Sequence, residues 1–337
     1  MNYWKVSLDN FEDLKLCLGQ EQNHMTGDSK DVSIRKIQDP LSCVSLRISM
    51  YFNEERLATG TAFIYLYEEK PYLITNWHNV SGREPSTLKA KHPACAIPNR
   101  IFVEVPFINH KTSSIIWEEH QVPIYQDDGD SPSKSIWYEH PLHSYKVDVV
   151  AIPVHEDEVF SPLKSIWHTI QSAQKRPEPI ESSIENIICP ATAPCLNLSL
   201  VRFNPGQGVF VLGFPEGMTG GANFPVWKRG SIASEPYLDI DDLPKIFIDT
   251  ATRAGMSGAP VYVHETGRWE TEVGGGLKRS NGSSFGIQGR RFIGVYSGRV
   301  GDDTFKVGQP HTFLNKKKRY ILTSTKVGGN NRRIEDI

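Results

Sequence analysis

The sequence predicts an all-β protein, and two observations carry that prediction. The first is a succession of short runs rich in Val, Ile, Phe, Tyr and Thr, most of them bounded by Gly, Pro, Asn or Asp, which is typical of strands separated by turns. The second is the scarcity of helical periodicity, which favours a barrel or sandwich over a parallel α/β sheet. The runs form two groups: CVSLRISMYF, GTAFIYLY, PYLITNW, RIFVEVPF, SSIIWEE and VDVVAIPV, and later LNLSLVRF, GVFVLGF, VWKRGSIAS, KIFIDT, APVYVH and RRFIGVYSG.

The two groups of runs define the predicted domains. Between them lies a connector with a helix predicted near 161–175, followed by the Pro/Ser/Glu-rich stretch RPEPIESSIENIICPATAP, a composition typical of linkers. The predicted organisation is an N-terminal extension at 1–41 with a short helix around 9–19, a first β unit at 42–160, the connector at 161–195, a second β unit at 196–300, and a basic tail at 301–337 with a candidate last strand at 319–325.

Composition and charge exclude several classes of function. The 337 residues carry a formal net charge of -2, so the chain has no global basic field for nucleic acid, and its basic tail is expected to be solvated. No apolar run approaches the roughly 20 residues that a bilayer-spanning helix needs. The N-terminus also lacks the pattern of a secretory signal. We therefore expect a cytoplasmic protein that binds neither membrane nor nucleic acid.

The cysteines agree with a reducing compartment. There are five of them, widely scattered, and an odd number in a chain without a secretory signal indicates free thiols. Cys189 and Cys195 in CPATAPC could form half of a metal site, but no second Cys/His pair at ligand spacing accompanies them. Buried or loop thiols are the favoured interpretation, and no metal is expected.

A serine among small residues is the first candidate for chemistry. Ser257 lies in TATRAGMSGAP, after Gly255 and Met256 and before Gly258. The stretch alone fits either a nucleophile held on a tight turn or an ordinary glycine-rich loop. Because a serine hydroxyl is a weak nucleophile at neutral pH, the first interpretation requires a neighbouring base and an acid that orients it.

A histidine and an aspartate at strand ends are candidates for those two roles. His78 follows the strand-like run PYLITNW and precedes a turn, where a side chain can project into a cleft, although local context alone favours a capping or surface histidine. Asp148 begins the apolar strand VDVVAIPV, so it needs a partner such as a backbone amide, an arginine or a histidine ring. Asp249 in KIFIDT is a rival acid, and its position close before Ser257 favours a supporting role at the serine loop.

These three residues, in this order on two groups of strands, resemble the trypsin-like, chymotrypsin-fold serine peptidases of the bacterial and intracellular branch. The resemblance covers about 42–300. It implies two six-stranded antiparallel β-barrels with the active site in the cleft between them. Four blocks carry it in the family's order: GTAFIYLYEEKPYLITNWHNVSG, VDVVAIPV, GVFVLGFPEG with VWKRGSIAS and IDTATRAGMSGAPVY, and RFIGVYSG.

The resemblance implies a role for each candidate. Ser257 Oγ would attack the scissile carbonyl, His78 would take and return its proton, and Asp148 would hold the imidazole. The backbone amides of Gly255 and Ser257 would form the oxyanion hole. Since no acid lies at the implied floor of the pocket, the expected preference is for a small or medium apolar side chain. The implied substrate-binding residues are Ala251 and Thr252 at the floor and Tyr296, Ser297 and Gly298 in the walls.

One departure from the family pattern bears on regulation. Met256 stands where secreted relatives carry an aspartate that pairs with a newly cut N-terminus, so activation by N-terminal cleavage is not expected. The loop 265–290 is an insertion by comparison, and its Gly/Ser-rich composition fits a mobile flap as well as an ordinary surface loop.

The function implied by the resemblance is that of an intracellular, regulated serine endopeptidase. It would act on protein or peptide substrates without a cofactor, under the control of an activating or regulatory protein partner, in bacterial stress or phage defence. The alternative is a catalytically silent trypsin-like fold that acts as a peptide-binding or regulatory module.

Overall fold

A computed structural model describes most of the strand-rich part of the chain, all of it within one unit at 31–337. The helices predicted around 9–19 and near 161–175 and the strand predicted at 319–325 lie outside the described residues. The described residues are 32–33, 37–109, 112, 114–126, 134–154, 184–198, 201, 203–266, 270–273, 276–279, 288–300 and 304–308.

The first β unit is an antiparallel sheet of nine strands. These are β1 (Val32–Ser33), β2 (Ser45–Phe52), β3 (Glu55–Tyr67), β4 (Lys70–Thr75), β5 (Arg100–Asn109), β6 (Ser114–Val122), β7 (Tyr138–Glu139), β8 (Val150–Pro153) and β9 (Ile184–Asn186). Eight of them follow the order β1-β6-β5-β2-β3-β4-β8-β7, and β9 pairs with β5. The last residue of β4, Thr75, therefore lies beside the first residue of β8, Val150.

The second β unit is a closed antiparallel barrel of six strands. They are β10 (Gly208–Gly213), β11 (Val226–Ile232), β12 (Lys245–Thr250), β13 (Pro260–Thr266), β16 (Gln288–Val300) and β17 (Thr304–Gly308). The barrel closes in the order β10-β11-β12-β17-β16-β13. A separate hairpin, β14 (Glu270–Val273) with β15 (Gly276–Arg279), stands in the connection between β13 and β16.

The all-β fold class predicted from the sequence is confirmed, since the described chain consists of two antiparallel β units, a nine-stranded sheet and a closed six-stranded barrel. The number of strands in the first unit differs from the predicted six. The difference comes from β1, β7 and β9, which are only two or three residues long. Strands of that length carry too few residues to show an alternating pattern in the sequence.

Three predicted boundaries need correction. The second β unit does not end at 300, because β17 pairs with both β12 and β16. The predicted connector contributes β9 to the first sheet, and the predicted N-terminal extension contributes β1. Partner strands far away in the sequence hold these short segments in place, so local composition does not reveal them. The loop 265–290 contains the hairpin β14–β15 rather than coil alone.

Apolar packing joins the two β units. Each unit has its own cluster of buried apolar side chains, and a third cluster combines residues from both. In that third cluster Phe63 of β3 lies edge-on to Phe292 of β16, with ring centroids 5.5 Å apart. The hydroxyl of Tyr262 on β13 donates a 2.8 Å hydrogen bond to the carbonyl of Ala191. Because burial of apolar surface is the main stabilising term in folding, this shared core fixes the two walls of the cleft between the units.

Helix is scarce in the described residues. The α-helix α1 (Trp77–Ser81) directly follows β4 and ends at Gly82. Gly82 has a φ of +62°, and its N–H donates to the carbonyl of His78, which is the usual left-handed end of a helix. Within the described ranges, no helix is long and apolar enough to cross a membrane.

Candidate active site

Two neighbouring strands bring His78 and Asp148 together. His78 lies on α1 directly after β4, and Asp148 lies just before β8. The two strands are antiparallel, with Thr75 paired to Val150. The residues that follow one strand and precede the other therefore meet at the same edge of the sheet. The structure thus places the predicted base and the predicted acid in contact.

The contact between them is a set of short hydrogen bonds. His78 Nδ1 lies 2.8 Å from Asp148 Oδ2 and 3.0 Å from Oδ1. The backbone N–H of His78 also donates to Oδ1, at 3.0 Å. Both side chains are buried. A carboxylate acceptor at Nδ1 favours the neutral tautomer with its hydrogen on Nδ1, in which Nε2 has a lone pair that can take a proton.

Asp148 adopts an unusual backbone conformation, with a φ of +58° and a ψ of +37° at the end of a short 3₁₀ turn. Non-glycine residues occupy this left-handed region at a cost of roughly 1 kcal/mol. Two hydrogen bonds hold Asp148 there: its N–H donates to Tyr145 O at 2.9 Å, and its carbonyl accepts from Asn76 Nδ2 at 2.6 Å. The backbone is therefore bent to aim the carboxylate at the imidazole.

Ser257 is held by the backbone on the opposite wall of the cleft. Its carbonyl accepts a 2.9 Å hydrogen bond from Thr61 N on β3 and a 3.2 Å bond from Asn79 Nδ2 on α1. The next residue, Gly258, donates its N–H to Tyr296 O at 2.9 Å. These bonds fix the serine to both β units at once.

The two glycines of the serine loop are required by their surroundings. Gly255 has a φ of +87°, and a Cβ there would lie 2.4 Å from the carbonyl oxygen of Phe214. Gly258 has a φ of +91°, and a Cβ there would lie 2.0 Å from the carbonyl oxygen of Thr61. Both the dihedral angle and the close approach exclude a side chain. The pattern GMSGAP predicts that the backbone requires these glycines, and the distances give the cause.

The amides of Gly255 and Ser257 are oriented away from the neighbouring backbone. The carbonyl of Ala254 accepts from Glu216 N, and the carbonyl of Met256 accepts from Ala259 N at 3.0 Å. In a trans peptide the N–H points opposite to the carbonyl, so the N–H groups of Gly255 and Ser257 are directed away from those partners. In the part of the chain that is described, neither amide donates a hydrogen bond.

Two cavities meet at the site, one of about 910 Å³ and one of about 330 Å³. Both are lined by His78 and Ser257, although within the described residues no hydrogen bond of 3.5 Å or less joins the Ser257 hydroxyl to the imidazole. Such bonds are often long in the absence of substrate. The larger cavity has several charged side chains in its wall: Glu84, Lys91, Lys146, Glu216, Lys245 and Arg253. The smaller one has a mainly apolar wall that includes Met50, Leu57, Ala58, Pro93, Ala96 and Pro98.

The predicted specificity residues fall into two sets. Tyr296, Ser297 and Gly298 line the larger cavity, as a pocket wall would. Ala251 and Thr252 do not belong to the wall of either cavity. Thr252 is buried, and its hydroxyl lies 2.5 Å from the hydroxyl of Tyr296, whereas Ala251 is exposed. That Ala251 and Thr252 form the floor of the pocket stays a prediction.

Sequence reasoning missed the side chains that join the two walls. Thr61 on β3 is fully buried; its hydroxyl donates to Gly255 O at 2.8 Å and accepts from Phe214 N at 3.3 Å. Its place in GTAFIYLY is that of an ordinary strand threonine, so nothing local marks it. Asp249, the rival acid, is exposed on β12 and lines neither cavity.

The cysteine pair of the connector lies in the shared core. Cys189 and Cys195 have their sulfur atoms 3.3 Å apart. The side-chain hydrogen bond with Cys195, together with burial, raises the pKa of the Cys189 thiol. Among the described residues, no group of three or more His, Cys, Asp or Glu side chains is arranged to hold a metal ion.

Comparison with known proteins returned solved structures only. No family model matches the chain, and no curated protein matches it. The active form of the Rv3671c protease from M. tuberculosis aligns at 16% identity over 87% of this chain and 90% of that one, with a TM-score of 0.36. A thermostable serine protease, AL20, from an extremophilic microorganism aligns at 11% identity over 80% of this chain and 92% of that one, also with a TM-score of 0.36. The roles of individual residues therefore rest on the geometry given above.

Proposed function

We propose that the chain is a serine endopeptidase that cleaves peptide bonds through an acyl-enzyme formed on Ser257. The observation that carries this proposal is the buried His78–Asp148 pair in the wall of a cleft that Ser257 also lines. A carboxylate on Nδ1 fixes the tautomer whose Nε2 can accept a proton, and it stabilises the imidazolium that forms. A histidine that merely caps a helix or covers the surface has no need of a buried acid.

The reaction would proceed in two stages. The Ser257 hydroxyl attacks the carbonyl carbon while its proton moves to His78 Nε2, and the negative oxygen of the tetrahedral intermediate is bound by the amides of Gly255 and Ser257. When the intermediate collapses, His78 returns the proton to the leaving amine and the acyl group remains as an ester on the serine. A water molecule, activated by the same imidazole, then hydrolyses the ester.

The shape of the cleft supports cleavage within a chain rather than at its end. Two separate cavities include Ser257 in their walls, so there is room for an extended peptide to continue beyond the scissile bond. The edge at 296–298 lines the larger cavity, where the backbone of a peptide could lie against it. The preference for a small or medium apolar side chain at the cleaved position stays a prediction.

Labelling with a fluorophosphonate probe tests the proposal directly. The wild-type chain should be labelled and should cleave casein, whereas Ser257→Ala and His78→Ala should abolish labelling and lower kcat by about 10⁴-fold or more. Ser135→Ala, at an exposed serine, is the control and should behave as wild type. Labelling that survives Ser257→Ala would contradict the assignment. A folded wild type that neither labels nor cleaves in any state, even with a candidate activating partner present, would favour the silent, peptide-binding alternative.

Activation without N-terminal cleavage is a part of the proposal that rests on Met256. Its side chain is fully buried in the apolar cluster of the second barrel, where a newly formed ammonium group would lack a counter-charge. We therefore propose that the protease acts inside the cell under the control of a partner or signal, as in bacterial stress or phage defence. Full constitutive activity of the purified chain would count against such control.

A further inference from the structure

A carboxylate outside the proposed triad accepts three hydrogen bonds. Glu139 ends β7, and its Oε1 atom accepts from Trp77 Nε1 at 2.9 Å and from Trp137 Nε1 at 3.1 Å. Its Oε2 atom accepts from the hydroxyl of Ser144. Two indole N–H groups and one hydroxyl on a single carboxylate make a charge-assisted network, in which each bond is stronger than one between neutral groups.

Two of the three donors, Trp77 and Ser144, belong to the segments that present His78 and Asp148. Trp77 directly precedes His78 in α1. Ser144 begins the turn that ends at Asp148. The ring of Tyr145, the next residue in that turn, lies against the indole of Trp77, with centroids 5.3 Å apart. Glu139 therefore connects the helix of the base to the turn of the acid.

The turn between Glu139 and Asp148 needs such a connection. Ser144 has a φ of +48° and Asp148 a φ of +58°, and each left-handed residue is disfavoured by roughly 1 kcal/mol or more. A turn with two such residues keeps its shape only when its surroundings hold it. The bond from the Ser144 hydroxyl to Glu139 acts on the first of these residues.

We propose that Glu139 is a positioning residue that sets the distance between Asp148 and His78. This inference rests on the proposed function. Glu139 itself lines neither cavity, so it acts through the acid and not on the substrate. Loss of its carboxylate releases the turn, moves the Asp148 carboxylate relative to Nδ1, and weakens the stabilisation of the imidazolium during acyl transfer.

A double-mutant cycle with Asp148 tests the proposal. Glu139→Ala should lower kcat by about 10- to 100-fold, with KM changed much less, because a displacement of about 1 Å at a catalytic group has effects of that size. In an Asp148→Asn background, the same substitution should change kcat by less than about threefold, because there is no longer a carboxylate to position. A merely structural role predicts equal losses in both backgrounds, and that result would overturn the proposal.

Conservative variants distinguish the loss of the hydrogen-bond geometry from the loss of the carboxylate's charge and from a failure to fold. Glu139→Gln keeps one oxygen for the indoles and can donate its amide to the Ser144 hydroxyl, so it should retain kcat within about threefold. Trp77→Phe keeps the ring packing and removes one donor, which gives a milder variant if Glu139→Ala does not fold. Its loss of kcat should likewise disappear in the Asp148→Asn background, and persistence of the loss there would overturn the proposal. Glu119→Ala, on the exposed side of β6, is the matched control.

The cycle also distinguishes this proposal from the proposed function. If Asp148→Asn leaves the kcat of an active wild type unchanged, the triad assignment fails and Glu139 loses its role with it. If Asp148→Asn lowers kcat strongly and Glu139→Ala is additive to it, the triad assignment stands and only the positioning role fails.

Discussion

The two walls of the cleft hold their proposed catalytic residues by different means. On the wall of the first β unit, side chains fix the position of the acid and the base: Asp148 binds His78, Asn76 binds the carbonyl of Asp148, and Glu139 accepts from the neighbouring indoles. On the wall of the second barrel, the serine is fixed mainly through its own backbone, by carbonyl and amide bonds around two glycines, with one donor from the side chain of Asn79. One wall depends on contacts between side chains, and the other mainly on a backbone that excludes a side chain at two positions.

This difference predicts how each wall responds to substitution. A side-chain network tolerates isosteric replacements that preserve its donors and acceptors, because each bond can be remade by a similar group. A glycine loop tolerates no Cβ, because the obstruction is backbone that cannot move without shifting a β unit. Substitutions on the two walls should thus separate into a graded response and an all-or-none response.

The largest effect is expected on the glycine wall, at Gly255. In Gly255→Ala the new Cβ meets Phe214 O, so the peptide must rotate and the Gly255 N–H leaves the position where the oxyanion would form. Loss of one such donor lowers kcat by about 10²–10³-fold, equivalent to roughly 3–4 kcal/mol. Steady-state kinetics on casein-derived peptides measure this fall in kcat, and KM should change little.

Gly206 provides a matched control, since it has a similar φ of +82° and no atom lies within 4 Å of the position that a Cβ would take there. Gly206→Ala should cost about 1 kcal/mol of unfolding free energy and leave kcat within about twofold. Comparing the two variants distinguishes the effect of the contact between the new Cβ and the backbone from the effect of the positive φ angle. Equal kinetic effects at the two glycines would show that the proposed oxyanion geometry is not the cause.

An intermediate fall in kcat is expected at Thr61, whose side chain connects the two walls. This side chain of the first β unit supports the glycine loop of the second, through its bonds to Gly255 O and Phe214 N. Thr61→Val keeps the shape and leaves two buried polar groups without partners, which should lower the free energy of unfolding by about 1–3 kcal/mol. Because the loop carries Gly255 N, kcat should fall by about tenfold as well.

Thr250→Val is the control for Thr61→Val. Thr250 is also buried, and its hydroxyl donates one hydrogen bond to Arg229 O at 2.9 Å. Its replacement should lower the free energy of unfolding by about 1 kcal/mol without lowering kcat. Urea denaturation and kinetics on both variants decide the point, and an unchanged kcat in Thr61→Val would show that Thr61 only stabilises the fold.

The same difference between the walls explains how far the sequence could predict the site. The glycines of GMSGAP are visible in the sequence, but the stretch alone fits an ordinary glycine-rich loop as well as a nucleophile turn. His78 and Asp148 were candidates because they lie at the ends of apolar strand runs, and their roles followed from the resemblance to the serine peptidases. The all-β class followed from strand composition, while β1 and β9 did not, since distant partners define them.

Two side chains that support the site could not be predicted. Thr61 lies in a stretch typical of an ordinary strand and bonds across the cleft to Gly255. Glu139 lies in β7, which is too short to show a pattern, and bonds to Trp77 on another segment. The bond between the hydroxyls of Thr252 and Tyr296 was likewise not predicted. Such contacts depend on how segments distant in the sequence pack together, which has no local pattern.

The smallest expected effect concerns pH. It arises from a buried histidine in the turn before Asp148, on the wall of the first β unit. His140 is buried, and its Nδ1 accepts from the N–H groups of Leu142 and His143. Burial, and to a lesser degree the charge of His143, lowers the pKa of His140 from 6.5 to about 4. Protonation would therefore remove an acceptor from the turn.

The sign of the effect follows from this pKa. Between pH 6.5 and about pH 4 the unfolded chain binds a proton at His140 and the folded chain does not, so the free energy of unfolding contributed by this group falls as the pH is lowered through that window. With solvent screening, the loss should be on the order of 1 kcal/mol. Urea denaturation at pH 7.5 and pH 4.5 measures this loss of unfolding free energy.

His140→Asn offers an oxygen to the same two N–H groups and does not titrate, so its unfolding free energy should fall less between those two pH values than that of the wild type. An equal fall in both proteins would mean that other groups govern the acid response.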